Sequence, residues 1–270
     1  MGIGLDSNKA KTARRVIEVL EFFDEQNRDA TAMAIARHCD RPQSSTSELL
    51  TLLVELGVLY KDLRSRSYRP TPRAAMLGSL CQPNLVRDGR ISMLTERLVA
   101  QTGLGTAFLG MVGLHVQLFR WLRGSAPLAT DIRGGRQERL CDSAAGWLLM
   151  STLAPERREG VIRRLRAESG DDHKFNCSEL SERVQDCARR GYVIGPSGFS
   201  PNSDTCAILL PSVPGERPMV LGFVYDSSAE VDPPALIGLL KRSAQNCVNQ
   251  SSVSTLSAAK PAVAVTASAA

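Results

Sequence analysis

The stretch Thr31-Ala32-Met33-Ala34-Ile35-Ala36, running on through Pro42-Gln43-Ser44-Ser45-Thr46 to Leu56-Gly57-Val58-Leu59-Tyr60-Lys61-Asp62, decides the fold. Ala32, Ile35, Ala36 and Cys39 recur at the spacing of one helical face, and so do Thr46, Leu49, Leu50 and Leu53. The two faces can bury each other. Cys39-Asp40-Arg41-Pro42 between them is too short for anything but a tight corner, and its proline is tolerated only near the start of the next helix. Two capping boxes compete there, Asp40 with Gln43 and Ser45 with Glu48; either starts the second helix near Gln43. Gly57 stops that helix, and Val58-Leu59-Tyr60-Lys61 and Ser67-Tyr68-Arg69-Pro70 read as two strands around the loop Asp62-Leu63-Arg64-Ser65-Arg66.

The polar side of the second helix carries Ser44, Ser47, Glu48, Thr51 and Glu55, with the short hydroxyls at its N-terminal end. A helix that enters the major groove does so by that end, where hydroxyls reach phosphates or base edges and free amides favour phosphate oxygens. Glu48 is repelled by phosphate, so it either accepts from a cytosine amine or serves as a cap or solvent-facing residue. From Lys61 to Arg73 the hairpin holds Lys61, Arg64, Arg66, Arg69 and Arg73 against the single acid Asp62. That balance suits a wing along a phosphate backbone, the alternative being a solvated hairpin with charged edges. Upstream, Ala13, Val16, Ile17, Leu20 and Phe23 form the apolar stripe of a first helix whose start bears Lys9, Lys11, Arg14 and Arg15. The candidate DNA-contacting residues are therefore Lys11, Arg14, Arg15, Gln43, Ser44, Ser45, Ser47, Glu48, Arg64, Arg66 and Arg69.

Residues 12–23, Ile35-Ala36, Pro42 to Thr46, the run Leu49-Leu50-Thr51-Leu52-Leu53-Val54-Glu55-Leu56-Gly57, and Tyr68-Arg69-Pro70-Thr71-Pro72-Arg73 with Leu77-Gly78 together resemble the IclR-type bacterial transcriptional regulators. The resemblance runs more weakly to about Cys247. It implies an α+β chain: an N-terminal winged helix-turn-helix joined by a linker helix to a GAF/PAS-like α/β ligand-sensing domain. It also implies homodimers or homotetramers, a roughly palindromic operator in double-stranded DNA, and control of metabolic operons by a small-molecule effector, without a cofactor.

Composition agrees with that organisation. The 270 residues suffice for two domains, and 43% of them are hydrophobic. The formal charge of +5 is mild, so the signal lies in where the cations sit. Seven cysteines lack the short paired spacings of a structural zinc site, and no signal peptide or disulfide framework is evident, so a reduced cytoplasm is the expected compartment. No stretch approaches the ~20 apolar residues needed to span a bilayer. The expected boundaries are a disordered arm at 1–8, the winged domain at 9–72, a linker helix at 73–83, the effector-binding domain at 84–248 and a disordered tail at 249–270. Within the effector domain, Ile91, Leu94, Leu98 and Val99 mark an opening helix ended by Gly103, and residues 106–122 a buried hairpin. Helices are expected near 143–153, 155–168, 178–190 and 233–248, and strands near 192–195, 205–210 and 218–225. That irregular alternation favours an antiparallel sheet.

By the family resemblance, a small-residue cluster opening a helix lies beside the effector; Ser143-Ala144-Ala145-Gly146 stands there. Its backbone amides suit a carboxylate. A tightly packed alanine-rich helix is the plain alternative. The resemblance also brings Asn202, Ser203 and Cys206 near the ligand, and puts Phe223 and Tyr225 where small hydroxyl residues are usual. Those aromatics, with Cys141 and Trp147, shrink the pocket or make it greasier, which favours an aromatic or otherwise apolar carboxylate, or else a pocket that is filled and takes no ligand. Arg133, Arg136 and Arg139 can attract an anion or form a solvated rim. Two other functions would each need their own residues. Catalysis would need a base beside Cys141 or Ser143, and His38, His115 and His173 carry no catalytic motif. A redox-sensing regulator would need an exposed, low-pKa thiol among Cys39, Cys81, Cys141, Cys177, Cys187, Cys206 and Cys247, of which Cys141, just after arginines, is the best placed.

Overall fold

A computed structural model describes residues 8–23, 27–77, 84–129, 132, 134–169, 175–211 and 216–257, in two compact units that divide between Arg87 and Asp88. Residues 1–7 of the arm expected at 1–8, residues 78–83 of the linker expected at 73–83 and the tail beyond 257 lie outside the described residues, as do Cys81, Arg133 and His173; Asn8 already belongs to the first helix.

The first unit holds α1 (Asn8–Glu21), β1 (Ala30–Thr31), α2 (Ala32–His38), α3 (Gln43–Glu55), β2 (Leu59–Lys61), β3 (Ser67–Pro70), α4 (Pro72–Met76) and α5 (Asn84–Arg87). The paired apolar faces close as the spacing predicts: Ile35 and Leu50 are fully buried, beside Ala36, Thr46, Leu49 and Leu53. On α1 the face is rotated from the expected one. Val19 and Phe22 are its buried centre, while Ile17 is 56% exposed and Ala13 is also exposed. Neither capping box forms at the α2–α3 corner. Asp40 instead ends α2, in left-handed backbone (φ 50), with Asp40 N–H donating to Arg37 O and Arg41 N–H to Ala36 O, the Schellman pattern usually given to glycine. The cap of α3 is Pro42, without a side-chain bond, and Ser45 Oγ donates back to Pro42 O at 3.2 Å. Gly57 (φ 69) ends α3 by the same pattern, Val58 N–H reaching Leu53 O at 2.8 Å. β2 and β3 then pair antiparallel, and the two-residue β1, too short for any periodicity to reveal, adds to the far edge of β3.

The second unit holds α6 (Arg90–Thr102), β4 (Gly105–Val112), β5 (His115–Leu122), β6 (Gln137–Arg139), α7 (Ala144–Met150), α8 (Pro155–Glu168), α9 (Cys177–Arg190), β7 (Tyr192–Pro196), β8 (Ser203–Leu209), β9 (Met219–Asp226) and α10 (Pro233–Ser257). Its six strands are antiparallel throughout in the order β6-β5-β4-β9-β8-β7. α7 and α9 cover one face, where Ala107, Leu109, Val193, Ala207, Val220 and Val224 meet Ala144, Leu148 and Val184. α6 and α10 contact each other and strands β4, β5, β8 and β9 on the other. Two differences from expectation stand out. The arginine-rich segment before Cys141 forms edge strand β6, and α10 continues to Ser257 where a tail was expected from 249. Residues 249–257 contain no glycine or proline to stop a helix, and extension needs no new nucleus.

Candidate nucleic-acid interface and effector site

α3 presents Gln43, Ser44 and Glu48 to solvent and Ser45 and Ser47 in part, because Thr46, Leu49, Leu50 and Leu53 hold the opposite face in the core. With Pro42 as cap and no capping side chain, the first-turn amides of Gln43, Ser44 and Ser45 have no acceptor among the described residues, so this helix end is open to an anion. A cleft of about 480 Å³ adjoins it, lined by Lys11, Thr12, Arg14, Arg15 and Arg41 with Pro42 and Ser45. Arg15 donates to Ser45 Oγ at 3.1 Å, which ties the cations of α1 to the tip of α3. Arg41, also paired with Glu18 at 3.4 Å, is a site residue the sequence reading left in the corner between helices. The lone signal for it was its position directly before the cap.

The wing is built by Asp62. Its carboxylate accepts from Arg64 N–H at 2.7 Å and Ser65 N–H at 3.1 Å, and these amides, Ser65 first, hold its pKa below the usual value. Arg66 takes left-handed backbone (φ 56), so the tip turns sharply and leaves Arg64 and Arg66 exposed, with Leu63 87% exposed between the strands. Behind the tip, Lys61 Nζ stands 5.6 Å over the Tyr68 ring and Arg69 5.6 Å over the Tyr60 ring, so the strand cations are held on aromatic faces with their charges outward. His38 is exposed at the end of α2 and packs edge-on against the buried Phe22 at 4.9 Å.

In the second unit, Ser143 caps α7 by accepting from Gly146 N–H at 3.2 Å, and Ser143, Ala144 and Ala145 are at most 1% exposed. The loop after β7 closes over them. A Cβ at Gly198 would stand 2.9 Å from Ser143 Cβ, Phe199 beside it is 1% exposed, and Ser203 Oγ lies 2.5 Å from Ser197 Oγ. Asn202 is exposed in left-handed backbone (φ 52), a turn residue at the rim.

Strand alternation separates the remaining expected effector residues from this place. Gly195, in register with Thr205, lies against Ala144 and Trp147 of α7, whereas Tyr192, in register with Ile208, lies under Lys241 of α10. Cys206, Phe223 and Tyr225 share the second parity, Cys206 pairing with Phe223 and Asp204 with Tyr225. They therefore face α6 and α10 and, contrary to the expectation from the family resemblance, do not share a pocket with Ser143–Ala145. Burial raises the Tyr225 phenol, with Cys206 and Asp204 adding to it.

The arginines before α7 are likewise committed. Arg136 pairs with Glu138 at 3.2 Å, and Arg139 bonds Asp142 at 2.6 Å and Ser169 Oγ at 2.9 Å. Burial first and Asp142 second push the Cys141 thiol up to about 11, and burial pushes Cys187 to about 11 and Cys206 to about 12. A thiol that serves as nucleophile or oxidant sensor needs the opposite shift. Trp147 closes the corner, its Nε1–H donating to Cys141 O at 2.9 Å under the Arg183 guanidinium. Among the described residues no group of His, Cys, Asp and Glu is arranged to hold a metal ion, and no helix is long and apolar enough to cross a membrane.

A helix pair with an open cationic tip and a basic wing define a winged helix-turn-helix unit, followed by a separate α/β unit. Residues 12–63 match the family described as the IclR helix-turn-helix domain. No functionally curated protein matches the chain. Among solved structures it is similar to an IclR homolog from Microbacterium hydrocarbonoxydans complexed with 4-hydroxybenzoate, at 21% identity over 87% of this chain and 97% of that one, TM-score 0.58. It is similar also to the IclR of Thermotoga maritima (15% identity, 89% and 98% covered, TM-score 0.59). A third, the transcriptional regulator from Alicyclobacillus acidocaldarius, shares 18% identity over 90% and 98% of the chains at TM-score 0.58. The head thus matches the IclR helix-turn-helix domain, and the chain shares the fold of these solved IclR-type structures.

Proposed function

We propose that this protein is a cytoplasmic, non-enzymatic transcriptional regulator that reads a roughly palindromic duplex operator and is controlled by a small organic carboxylate, aromatic in character, bound in the second domain. The observation that carries the reading is the open amide end of α3 beside a cleft of cations, with Arg64 and Arg66 exposed on the adjoining wing. In this account a homodimer, or a tetramer of paired dimers, sets two copies of α3 into successive major grooves while the wings grip phosphate. Lys11, Arg14, Arg15, Arg41, Arg64, Arg66 and Arg69 supply backbone contacts; Gln43, Ser44, Ser47 and Glu48 are the candidates for base edges.

For the effector, the reading places the carboxylate at the amides of Ala144 and Ala145. The space there is occupied by the 197–203 loop, so ligand entry requires Phe199 to swing out, and Gly198 (φ 81) and Asn202 (φ 52) mark where that loop bends. The relative that binds 4-hydroxybenzoate supports an aromatic acid as the class. Such a ligand regulates only by binding one arrangement of the heads better than the other. The test is fluorescence anisotropy of the full-length protein on its own promoter, titrated with 4-hydroxybenzoate and with aliphatic acids. The reading expects specific binding that an aromatic acid shifts, and loss of that shift in Ala145→Leu, whose larger side chain stands beside the amides where the ligand would displace Phe199. Binding that no acid alters, or a shift that survives Ala145→Leu, contradicts the effector assignment.

A further inference from the structure

The far end of α7 borders a second cavity. It is a cleft of about 870 Å³ between the last residues of α7, the first turns of α8, the β4–β5 turn and the segment leading into β9. Met111, Leu114, Leu149, Leu153 and Val161 give it an apolar floor. Arg157, Arg164 and Arg217 stand around that floor with one acid, Glu216. The volume falls in the range of small-molecule sites, and an apolar floor with a few charged groups at the rim is their usual chemistry.

Two further observations point to a ligand. Arg157 and Arg217 make no hydrogen bond or ion pair among the described residues, and Arg164 holds only Glu168, across 3.8 Å with both side chains largely exposed. Among the described residues, three exposed guanidiniums thus line the cleft without a strong counterion. Gly160 sits between them in the interior of α8, where glycine is unfavourable relative to alanine, and a Cβ there would meet no atom within 4 Å. No packing constraint requires that glycine; what its missing side chain does is widen the cleft. Arg157, Gly160, Val161 and Arg164 follow helical spacing, so they form one stripe along the wall.

We propose that this cleft binds an organic anion with an apolar body and a carboxylate or sulfonate head, at a site separate from the start of α7. The body lies on the Leu149, Leu153 and Val161 floor in the space left by Gly160, and the head takes charge-assisted bonds from Arg157 and Arg164.

The probe is 1-anilinonaphthalene-8-sulfonate, an aryl sulfonate whose emission rises in apolar surroundings, titrated into the full-length protein and displaced by octanoate. Saturable binding is expected, with octanoate competing and neutral octanol failing to. Gly160→Trp fills the cleft, and Arg157→Ser with Arg164→Ser removes its charge; each should weaken the sulfonate by about tenfold or more. Ala145→Leu, at the other end of α7, should leave its affinity unchanged. Circular dichroism checks that each variant is folded, and the exposed arginine pair decides the matter alone if Gly160→Trp does not fold. Wild-type affinity in the folded arginine double variant, or loss in Ala145→Leu in place of the cleft variants, overturns the proposal. The second result would assign the sulfonate to the start of α7 and leave the effector reading standing.

Discussion

Replacing Arg64 and Arg66 together with alanine isolates the electrostatic part of DNA recognition. Both side chains are exposed at the wing tip, and the one acid of the loop, Asp62, is engaged with the backbone amides of Arg64 and Ser65 rather than with either guanidinium. Both are therefore available to phosphate. Each neutralised phosphate adds about 0.9 to the slope of log affinity against log salt, so the double variant should flatten that slope by about 1.8 for each bound head. Between about 50 and about 200 mM salt, a fourfold rise, the wild type should then lose about twelvefold more affinity than the variant for each bound head, or about 150-fold for a dimer with both heads engaged. Anisotropy on a labelled promoter fragment and on a scrambled duplex at several salt concentrations measures this directly. Both duplexes should weaken alike, because phosphate contacts carry no sequence information. An unchanged slope, or a loss confined to the promoter, refutes the wing assignment.

Three predictions concern the folded chain itself. Leu50→Ala empties a fully buried position between α2 and α3 and should cost about 2–5 kcal/mol, read as a lowered urea midpoint; a change under about 1 kcal/mol would mean that the helix pair is not the core of the head. Gly146→Ala puts a Cβ 2.2 Å from Leu140 O, a backbone atom, so α7 must shift; a loss of about 1–3 kcal/mol is expected, and a neutral outcome contradicts the packing of α7 on that segment. Cys187 and Cys206 hold their protons up to about 11 and about 12 against 9.0 for the ordinary thiol, so the unfolded chain ionises first as pH rises. Their contribution is intact below pH 9 and is lost as pH climbs from 9 toward 12. The urea midpoint should fall over that window, less steeply in a Cys187→Ala, Cys206→Ala variant; equal steepness would remove the thiols as the cause.

The head was legible because helical periodicity is a local property. The spacing of Ala32, Ile35 and Ala36 and of Thr46, Leu49, Leu50 and Leu53 names the buried faces, and Gly57 names the end of α3. What escaped was decided by contacts rather than pattern. Asp40 ends α2 in left-handed backbone because the corner needs a C-terminal turn more than a cap, and β1 exists only by pairing with β3. In the second domain, alternation put Phe223 and Tyr225 on one face and Val220 and Val224 on the other, but nothing along the strand says which face meets α7. The placement of Cys206, Phe223 and Tyr225 beside Ser143 failed for that reason. The closed loop over α7 and the cleft at its far end depend on segments distant in sequence, Gly198 on Ser143 and Arg217 lining the same cleft as Arg157, which no periodicity brings together.

The central claim is that the tip of α3, flanked by the arginine wing, reads duplex DNA. The direct measurement is the affinity of the full-length protein for its own promoter region and for a random duplex of equal length, across ionic strength, with and without aromatic acids. The account predicts a preference for the promoter of about a thousandfold or more at physiological salt. Equal affinity for the two duplexes under every condition would contradict it.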